Sequence, residues 1–104
     1  MTKVWFITGC SSGFGKEIAA FALEKGDAVV ATARKTETLD DLEGDVLKLQ
    51  LDVTKREDIT HAVAKAHEWK GKIDIVVNNA GFGNVGSIEE TTDEQWKQLY
   101  DVNV

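Results

Sequence analysis

Short β-branched runs alternate with helical patterns along the whole chain, and this alternation restricts the fold more than any other feature of the sequence. Four apolar runs have the length and continuity of strands that are buried on both faces, as in a parallel sheet. They cover residues 4–7, 28–33, 46–51 and 73–77.

Between these runs, apolar residues recur at helical spacing. The first such face is formed by Phe14, Ile18, Phe21 and Ala22, and Gly26 marks its end. The second face carries Ile59, Ala62, Val63, Ala66 and Trp69, is followed by Gly71, and is preceded by a possible capping box, residues 54–57. A weaker helical turn is predicted around residues 38–42, and a last helix from Thr92.

The resulting order, β-α-β-(α)-β-α-β-α, predicts an α/β fold. Right-handed crossovers between parallel strands place helices on both faces of the sheet, which gives a three-layer α/β/α domain. The commonest arrangement puts the first strand in the centre, so the expected strand order is 3-2-1-4. Residues 1–104 are expected to form one domain, because their number suits a single core.

Composition excludes several classes of protein. The net charge of −6 is unsuited to a nucleic-acid partner, and no apolar run is long enough to span a membrane. Cys10 is the only cysteine, so neither an internal disulfide nor a cysteine-based metal cluster is possible, and no metal site is predicted. We expect a cytoplasmic location. The Cys10 side chain is expected to fill space in a turn; the alternative is a thiolate activated at a helix N-terminus.

The chain stops at Val104 within the helix that starts near residue 92, without a capping signal. Domains seldom end in this way. The fourth strand would also be an open edge of the sheet, which predicts self-association if the chain exists alone. We therefore expect a domain that is truncated within its last helix.

Three glycines lie in seven residues between the first strand and the first helix: Gly9, Gly13 and Gly15. Unpaired N–H groups at a helix N-terminus bind phosphate without a side-chain cation. Gly9 is expected to make the tight turn, Gly13 to let a pyrophosphate approach the backbone, and Gly15 to let the helix lie close to the sheet. Ser11 and Ser12 would add hydroxyl donors. The alternative is that the glycines only form a turn.

These residues resemble the short-chain dehydrogenase/reductase family. The motifs that carry the resemblance match in order and spacing across all 104 residues: TGCSSGFG (8–15), LDVT (51–54), NNAG (78–81) and Asn103 of DVNV. The resemblance implies a Rossmann-type fold and an oxidoreductase that passes hydride between a nicotinamide cofactor and a small-molecule alcohol or carbonyl substrate. Phe14 belongs to the implied cofactor-binding set, and homo-oligomers are possible.

The end of the second strand indicates which cofactor is bound. NAD-binding domains place a carboxylate there to bind the ribose 2′-hydroxyl, whereas this chain has Ala33 followed by Arg34. A guanidinium suits a phosphate through paired, charge-assisted hydrogen bonds. The sequence therefore predicts NADP, with NAD less favoured; the alternative is that Arg34 is an ordinary surface residue.

By resemblance, Asp52 accepts a hydrogen bond from the adenine amine and Val53 supplies a backbone donor. Asp52 could instead only precede the capped second helix. Asn79, Ala80 and Gly81 follow the fourth strand, where the resemblance places them against a ribose, although such a turn is common in loops.

Asn103 is the catalytic residue that the resemblance implies within this chain, where it would support a proton relay to the active-site lysine; a purely structural asparagine is the alternative. The family also needs a tyrosine with a lysine four residues later, and a serine. Tyr100 is the only tyrosine and Val104 stands four residues on. We therefore expect this chain to carry only the cofactor-binding half and to be inactive alone. The other possibility is a short, non-catalytic dinucleotide-binding module.

Overall fold

The computed structural model describes residues 2–10, 13–52, 54–78 and 87–90. Five strands and two helices occupy these ranges: β1 Val4–Thr8, α1 Gly13–Glu24, β2 Ala28–Ala33, β3 Val46–Gln50, α2 Arg56–Lys70, β4 Ile75–Asn78 and β5 Ser87–Glu90. A short 3₁₀ helix, Thr36–Leu39, stands between β2 and β3, two residues before the turn that the sequence predicted.

The sheet has the order β3-β2-β1-β4-β5. Strands β1, β2, β3 and β4 are parallel, with Ile7 opposite Ala31 and Val77, so the predicted order 3-2-1-4 is confirmed. The antiparallel strand β5 pairs with β4 and was not predicted. The prediction that β4 is an open edge is therefore wrong, and the expectation of self-association through that edge loses its basis.

The two faces of the sheet carry separate apolar clusters, because side chains alternate along each strand. One cluster includes Trp5, Ile7 and Val29 and is covered by α1 through Ala19 and Ala22. The other includes Val4, Phe6 and Val30 and is covered by α2 through Ala62 and Ala66. Layers on both faces explain why β1 and β2 are buried at every position.

The buried face of α1 agrees with the predicted one only in part: Ala22 is buried and Ile18 packs against the core, but the two predicted phenylalanines do not. Small residues face the sheet, namely Gly15, Ala19 and Ala22, while Phe14 and Phe21 are each 58% exposed. Helical spacing alone cannot separate two neighbouring stripes of one helix. The small stripe faces the sheet because it lets the helix axis approach closely, which the two rings would prevent.

The capping box predicted at residues 54–57 is also wrong. Helix α2 begins at Arg56, and Lys55 at its N-cap makes no side-chain capping hydrogen bond. The Thr54 hydroxyl instead donates to Asp52 Oδ1 at 2.6 Å. The helix ends as expected at Gly71, which has a left-handed backbone with φ 77°.

Two carboxylates hold the beginning of β1. Asp27 Oδ2 accepts from Trp5 Nε1 at 2.9 Å, and its Oδ1 accepts from the Lys3 amide at 3.2 Å. Asp74 Oδ2 accepts from the Val4 amide at 2.9 Å. These bonds tie the loops before β2 and β4 to the central strand, so they fix the end of the sheet opposite to the glycine-rich turn.

The helix predicted from Thr92 lies outside the described residues. Among the helices that the structure does describe, none is both long enough and apolar enough to cross a lipid bilayer.

Candidate functional site

The predicted site residues follow the carboxyl ends of adjacent parallel strands. Gly9 comes directly after β1, Arg34 directly after β2, and Asp52 two residues after β3. Since these ends lie at one edge of a parallel sheet, the three segments meet there, and this edge is where ligands bind in open α/β sheets.

The turn after β1 is fixed by its backbone. Gly9 has φ 67°, in the left-handed region that glycine adopts without strain, as its predicted role in the tight turn requires. The Cys10 amide then donates to the Thr32 carbonyl at 2.9 Å, and the Thr32 hydroxyl donates to the Ile7 carbonyl at 2.9 Å. The turn is thus anchored to β2.

The first turn of α1 leaves room for a ligand. A Cβ added at Gly13, the first residue of the helix, meets no atom of the described residues within 4 Å. Gly15 is buried toward the sheet, as close packing of the helix requires, and Phe14 between them is exposed. The first N–H groups of a helix have no partner within the helix, so an accessible N-terminus with an adjacent exposed ring fits the phosphate and sugar of a nucleotide.

Cys10 fills space in this turn. Its thiol is fully buried and lies 3.5 Å from the Ile7 carbonyl, to which it donates. Burial raises the pKa of Cys10 to about 11. The thiol is therefore protonated at neutral pH, which agrees with the space-filling role and not with an activated nucleophile.

Arg34 and Asp52 lie opposite each other across the ends of β2 and β3. The Arg34 Nη2 atom is 3.7 Å from Asp52 Oδ2, and the two side chains are 75% and 25% exposed. An exposed pair at this distance contributes little to the stability of the fold. Most of the guanidinium is thus free to contact a bound anion.

Asp52 and Thr54 are held by local hydrogen bonds. Asp52 Oδ1 accepts from the Thr54 amide at 3.0 Å as well as from its hydroxyl, and the Asp52 amide donates to Asp58 Oδ2 at 3.0 Å. The Thr54 hydroxyl and amide, followed by the charge of Arg34, hold the pKa of Asp52 below its usual range. Asp52 is therefore ionised at neutral pH.

Sequence reasoning missed the roles of Thr54 and Asp58. An aspartate followed two residues later by threonine is a signal for a side-chain turn, since the carboxylate can accept the amide two positions on. An aspartate within the first turn of a helix similarly suits nearby N–H groups. Both signals were present in the sequence, but Thr54 was assigned to the capping box at residues 54–57 and Asp58 was given no role.

Several predicted site residues lie outside the described residues: Ser11, Ser12, Val53, Asn79, Ala80, Gly81 and Asn103. Their roles stay predictions. Within the ranges that the structure covers, no group of three or more His, Cys, Asp or Glu side chains could hold a metal ion.

A cleft of about 430 Å³ lies between the carboxyl end of β3 and the first turns of α2. Leu49, Gln50, Glu57, Asp58 and His61 line it. His61 is exposed there, and of the residues that hold Asp52 and Thr54 only Asp58 also lines the cleft.

A parallel sheet of order 3-2-1-4, helices on both faces and a glycine-rich turn before α1 define the class of Rossmann-type α/β folds. The model of the short chain dehydrogenase family matches residues 3–104. The chain belongs to this family, as the sequence motifs indicated.

Known proteins of similar sequence and structure support this family assignment. The chain is 47% identical over 95 residues to the oxidoreductase BOA17 of Botryotinia fuckeliana, covering 86% of this chain and 35% of that protein. It superposes with a TM-score of 0.72 and 36% identity on a 3-ketoacyl-(acyl-carrier-protein) reductase from Brucella melitensis complexed with NADH, over 78% of this chain and 35% of the other. It superposes with the same TM-score of 0.72 and 32% identity on a metagenomic short-chain oxidoreductase in complex with NADP. That match covers 78% of this chain and 40% of the other.

The chain spans about a third to two fifths of the length of these relatives.

Proposed function

We propose that this chain is the cofactor-binding part of an NADP-dependent oxidoreductase that transfers hydride between nicotinamide and an alcohol or carbonyl substrate. Its family supports oxidoreductase chemistry, and its relatives include a protein named as an oxidoreductase. The observation that carries the choice of NADP is the exposed guanidinium of Arg34 at the carboxyl end of β2, where an NAD-binding domain would have a carboxylate.

Bound NADP supplies the hydride acceptor, or the donor in its reduced form. The residues of this chain bind and orient it. The N-terminus of α1 at Gly13 holds the pyrophosphate through backbone N–H groups. Arg34 binds the 2′-phosphate, and Asp52 accepts from the adenine amine.

Both cofactors occur among the structural neighbours: the Brucella reductase was complexed with NADH and the metagenomic enzyme with NADP. Overall similarity therefore does not decide between the two cofactors. Arg34 decides for NADP in our proposal, because a 2′-phosphate is present in only one of them and a guanidinium attracts it through charge-assisted hydrogen bonds.

The test is a comparison of the dissociation constants of NADPH and NADH by titration calorimetry. The wild-type chain is expected to prefer NADPH. Arg34→Asp replaces an attractive cation with a repulsive carboxylate, which can also bind the ribose hydroxyl, so the preference should move toward NADH by on the order of a hundredfold.

The matched control is Arg56→Asp, the same change at an exposed position at the start of α2. It should leave the ratio of the two dissociation constants within about twofold. An unchanged ratio in the Arg34 variant would defeat the proposal of NADP recognition by this residue.

Three further parts of the proposal rest on the sequence: one cofactor-binding domain over residues 1–104, a cytoplasmic location, and homo-oligomers. The alternative of a non-catalytic dinucleotide-binding module gains no support from relatives that are named as oxidoreductases or reductases.

A further inference from the structure

Three side chains form a connected chain of polar contacts at the carboxyl ends of β2 and β3. The Thr54 hydroxyl lies 2.6 Å from Asp52 Oδ1, and Asp52 Oδ2 lies 3.7 Å from Arg34 Nη2. The two carboxylate oxygens of Asp52 therefore have different partners, one within its own loop and one on the neighbouring strand end.

We infer that Asp52 is a positioning residue for Arg34, and that the Thr54–Asp52–Arg34 contacts increase the preference of this site for a ribose that carries a 2′-phosphate. This inference rests on the proposed function, in which Arg34 binds that phosphate. It adds to Asp52 a role that is separate from its predicted contact with adenine.

Three hydrogen bonds restrain Asp52, two at its carboxylate and one at its backbone amide. Its Oδ1 atom accepts two hydrogen bonds from Thr54, through the amide and the hydroxyl. The Asp52 amide is held by Asp58 Oδ2 at 3.0 Å. Because both the backbone and one oxygen are held, Oδ2 is directed toward Arg34.

Arg34 needs such a partner because its side chain is long and 75% exposed. A side chain of this kind loses rotamer entropy when it is immobilised on a ligand, and a contact that restricts it beforehand reduces this loss. The guanidinium has five N–H donors, so an ion pair through one nitrogen leaves others available for a phosphate.

Electrostatic repulsion between Asp52 and the 2′-phosphate acts against NADPH binding and so opposes the positioning effect. The ionised Asp52 repels a phosphate that binds nearby, so neutralising it should strengthen NADPH binding if electrostatic repulsion dominates. We expect positioning to dominate, because the guanidinium stands between the two anions and surface charges farther apart are screened by salt.

The experiment measures the dissociation constants of NADPH and NADH for the wild-type chain, Asp52→Asn and Thr54→Val. The readout is the ratio of the NADH constant to the NADPH constant. Loss of an adenine contact weakens both cofactors equally and cancels in this ratio, so only the 2′-phosphate contributes to it. Asparagine can still accept the Thr54 amide, which preserves the loop.

Asp52→Asn is expected to lower the ratio by about two- to fivefold, the range that exposed ion pairs support. Thr54→Val should also lower the ratio, but by a smaller factor, because the amide of residue 54 still holds Asp52 Oδ1. Asp45→Asn is the matched control: it neutralises the carboxylate of the exposed Lys70–Asp45 ion pair, at the start of β3 rather than its end, and should leave the ratio unchanged.

A double-mutant cycle with Arg34→Ala distinguishes positioning from a general loss of structure. In the Arg34→Ala background, Asp52→Asn should have no further effect on the ratio. A ratio that rises or stays constant in Asp52→Asn, while Arg34→Ala abolishes the preference for NADPH, overturns the inference and leaves the proposed function standing. A wild-type chain that binds NADH as tightly as NADPH overturns both.

Discussion

Asp27 is a buried carboxylate whose two hydrogen-bond donors are Trp5, in β1, and Lys3, the residue directly before β1. Both of its oxygens accept hydrogen bonds, from the Trp5 indole and from the Lys3 amide, and Lys25 Nζ lies 3.9 Å away. The Trp5 bond is the main reason why the pKa of Asp27 lies below its ordinary value of 3.8. The ionised carboxylate therefore stabilises the folded state at neutral pH.

Asp27→Ala is expected to lower the free energy of unfolding at pH 7 by about 1–3 kcal/mol, since it leaves the buried Trp5 N–H without its acceptor. Urea unfolding at pH 7 measures this. Asp40→Ala, at an exposed position, should change the midpoint little.

The loss of stability in Asp27→Ala is expected to depend on pH. Because the folded-state pKa of Asp27 is depressed, its contribution is present above about pH 4, the range of the unfolded-state pKa, and is lost as pH falls through the lower folded-state value. The difference in stability between wild type and Asp27→Ala should therefore shrink below pH 4. A difference that stays constant down to pH 2 would contradict this assignment.

For single residues, the sequence predicted backbone conformation well but predicted side-chain hydrogen-bond partners poorly. The positive φ of Gly9 and the inert character of Cys10 agree with their predicted roles, because both depend on neighbours in the chain or on burial in a turn. Thr54 was misassigned because its hydroxyl has two possible partners close in sequence: the amide of residue 57, from which an N-cap would accept, and the carboxylate of Asp52, to which it donates. Local geometry decided for Asp52.

At the scale of elements, helix ends show how backbone conformation limits the sequence. Gly71 ends α2 with φ 77° and ψ 0°, and its amide donates to the His67 carbonyl at 2.7 Å. A Cβ added there meets no atom within 4 Å in the described part of the chain, so the conformation alone opposes other residues.

Gly71→Ala is expected to destabilise the fold by about 1–2 kcal/mol, the strain of a left-handed backbone with a Cβ. Gly71→Asn should have a smaller effect, because asparagine adopts this conformation more readily. Thermal or urea unfolding of both variants provides the comparison. Equal stability of the alanine variant and the wild type would show that the helix end relaxes.

The strands were predicted within two residues of their observed limits, with one exception. The β1, β2 and β4 runs are mainly apolar and continuous, which marks strands buried on both faces. Strand β5, Ser87–Glu90, lacks such a run, since it carries Ile88 between Ser87 and two glutamates. It forms because β4 offers unpaired backbone groups, and this requirement arises only once the sheet exists.

At the scale of the whole molecule, we propose that this chain binds the cofactor but does not catalyse the reaction alone. The 104 residues contain one tyrosine, Tyr100, and no tyrosine followed by lysine four positions later. The relatives are about two and a half to three times as long as the region they share with this chain. We propose that the acid/base group of the reaction is not among these residues.

The purified 104-residue chain is therefore expected to show no NADPH-dependent carbonyl reduction above background. A missing general acid/base lowers the rate by about 10²–10⁴-fold, and loss of substrate positioning lowers it further. Oxidation of NADPH at 340 nm with a panel of small aldehydes and ketones measures it, with calorimetric binding of NADPH as the control for a folded site. Turnover that depends on the chain would refute this prediction.

The sequence by itself determined the order of elements, the parallel arrangement of four strands, the glycine-rich turn and the family, because these follow from local periodicity, backbone preference and motif spacing. Tertiary structure decided which stripe of α1 is buried, that β4 acquires β5, and that Arg34 faces Asp52. Each of these depends on segments brought together by folding: Arg34 and Asp52 are separated along the chain but stand 3.7 Å apart at the ends of two paired strands. Which donor meets which acceptor there is set by the register of the sheet, and that register results from packing both of its faces at once.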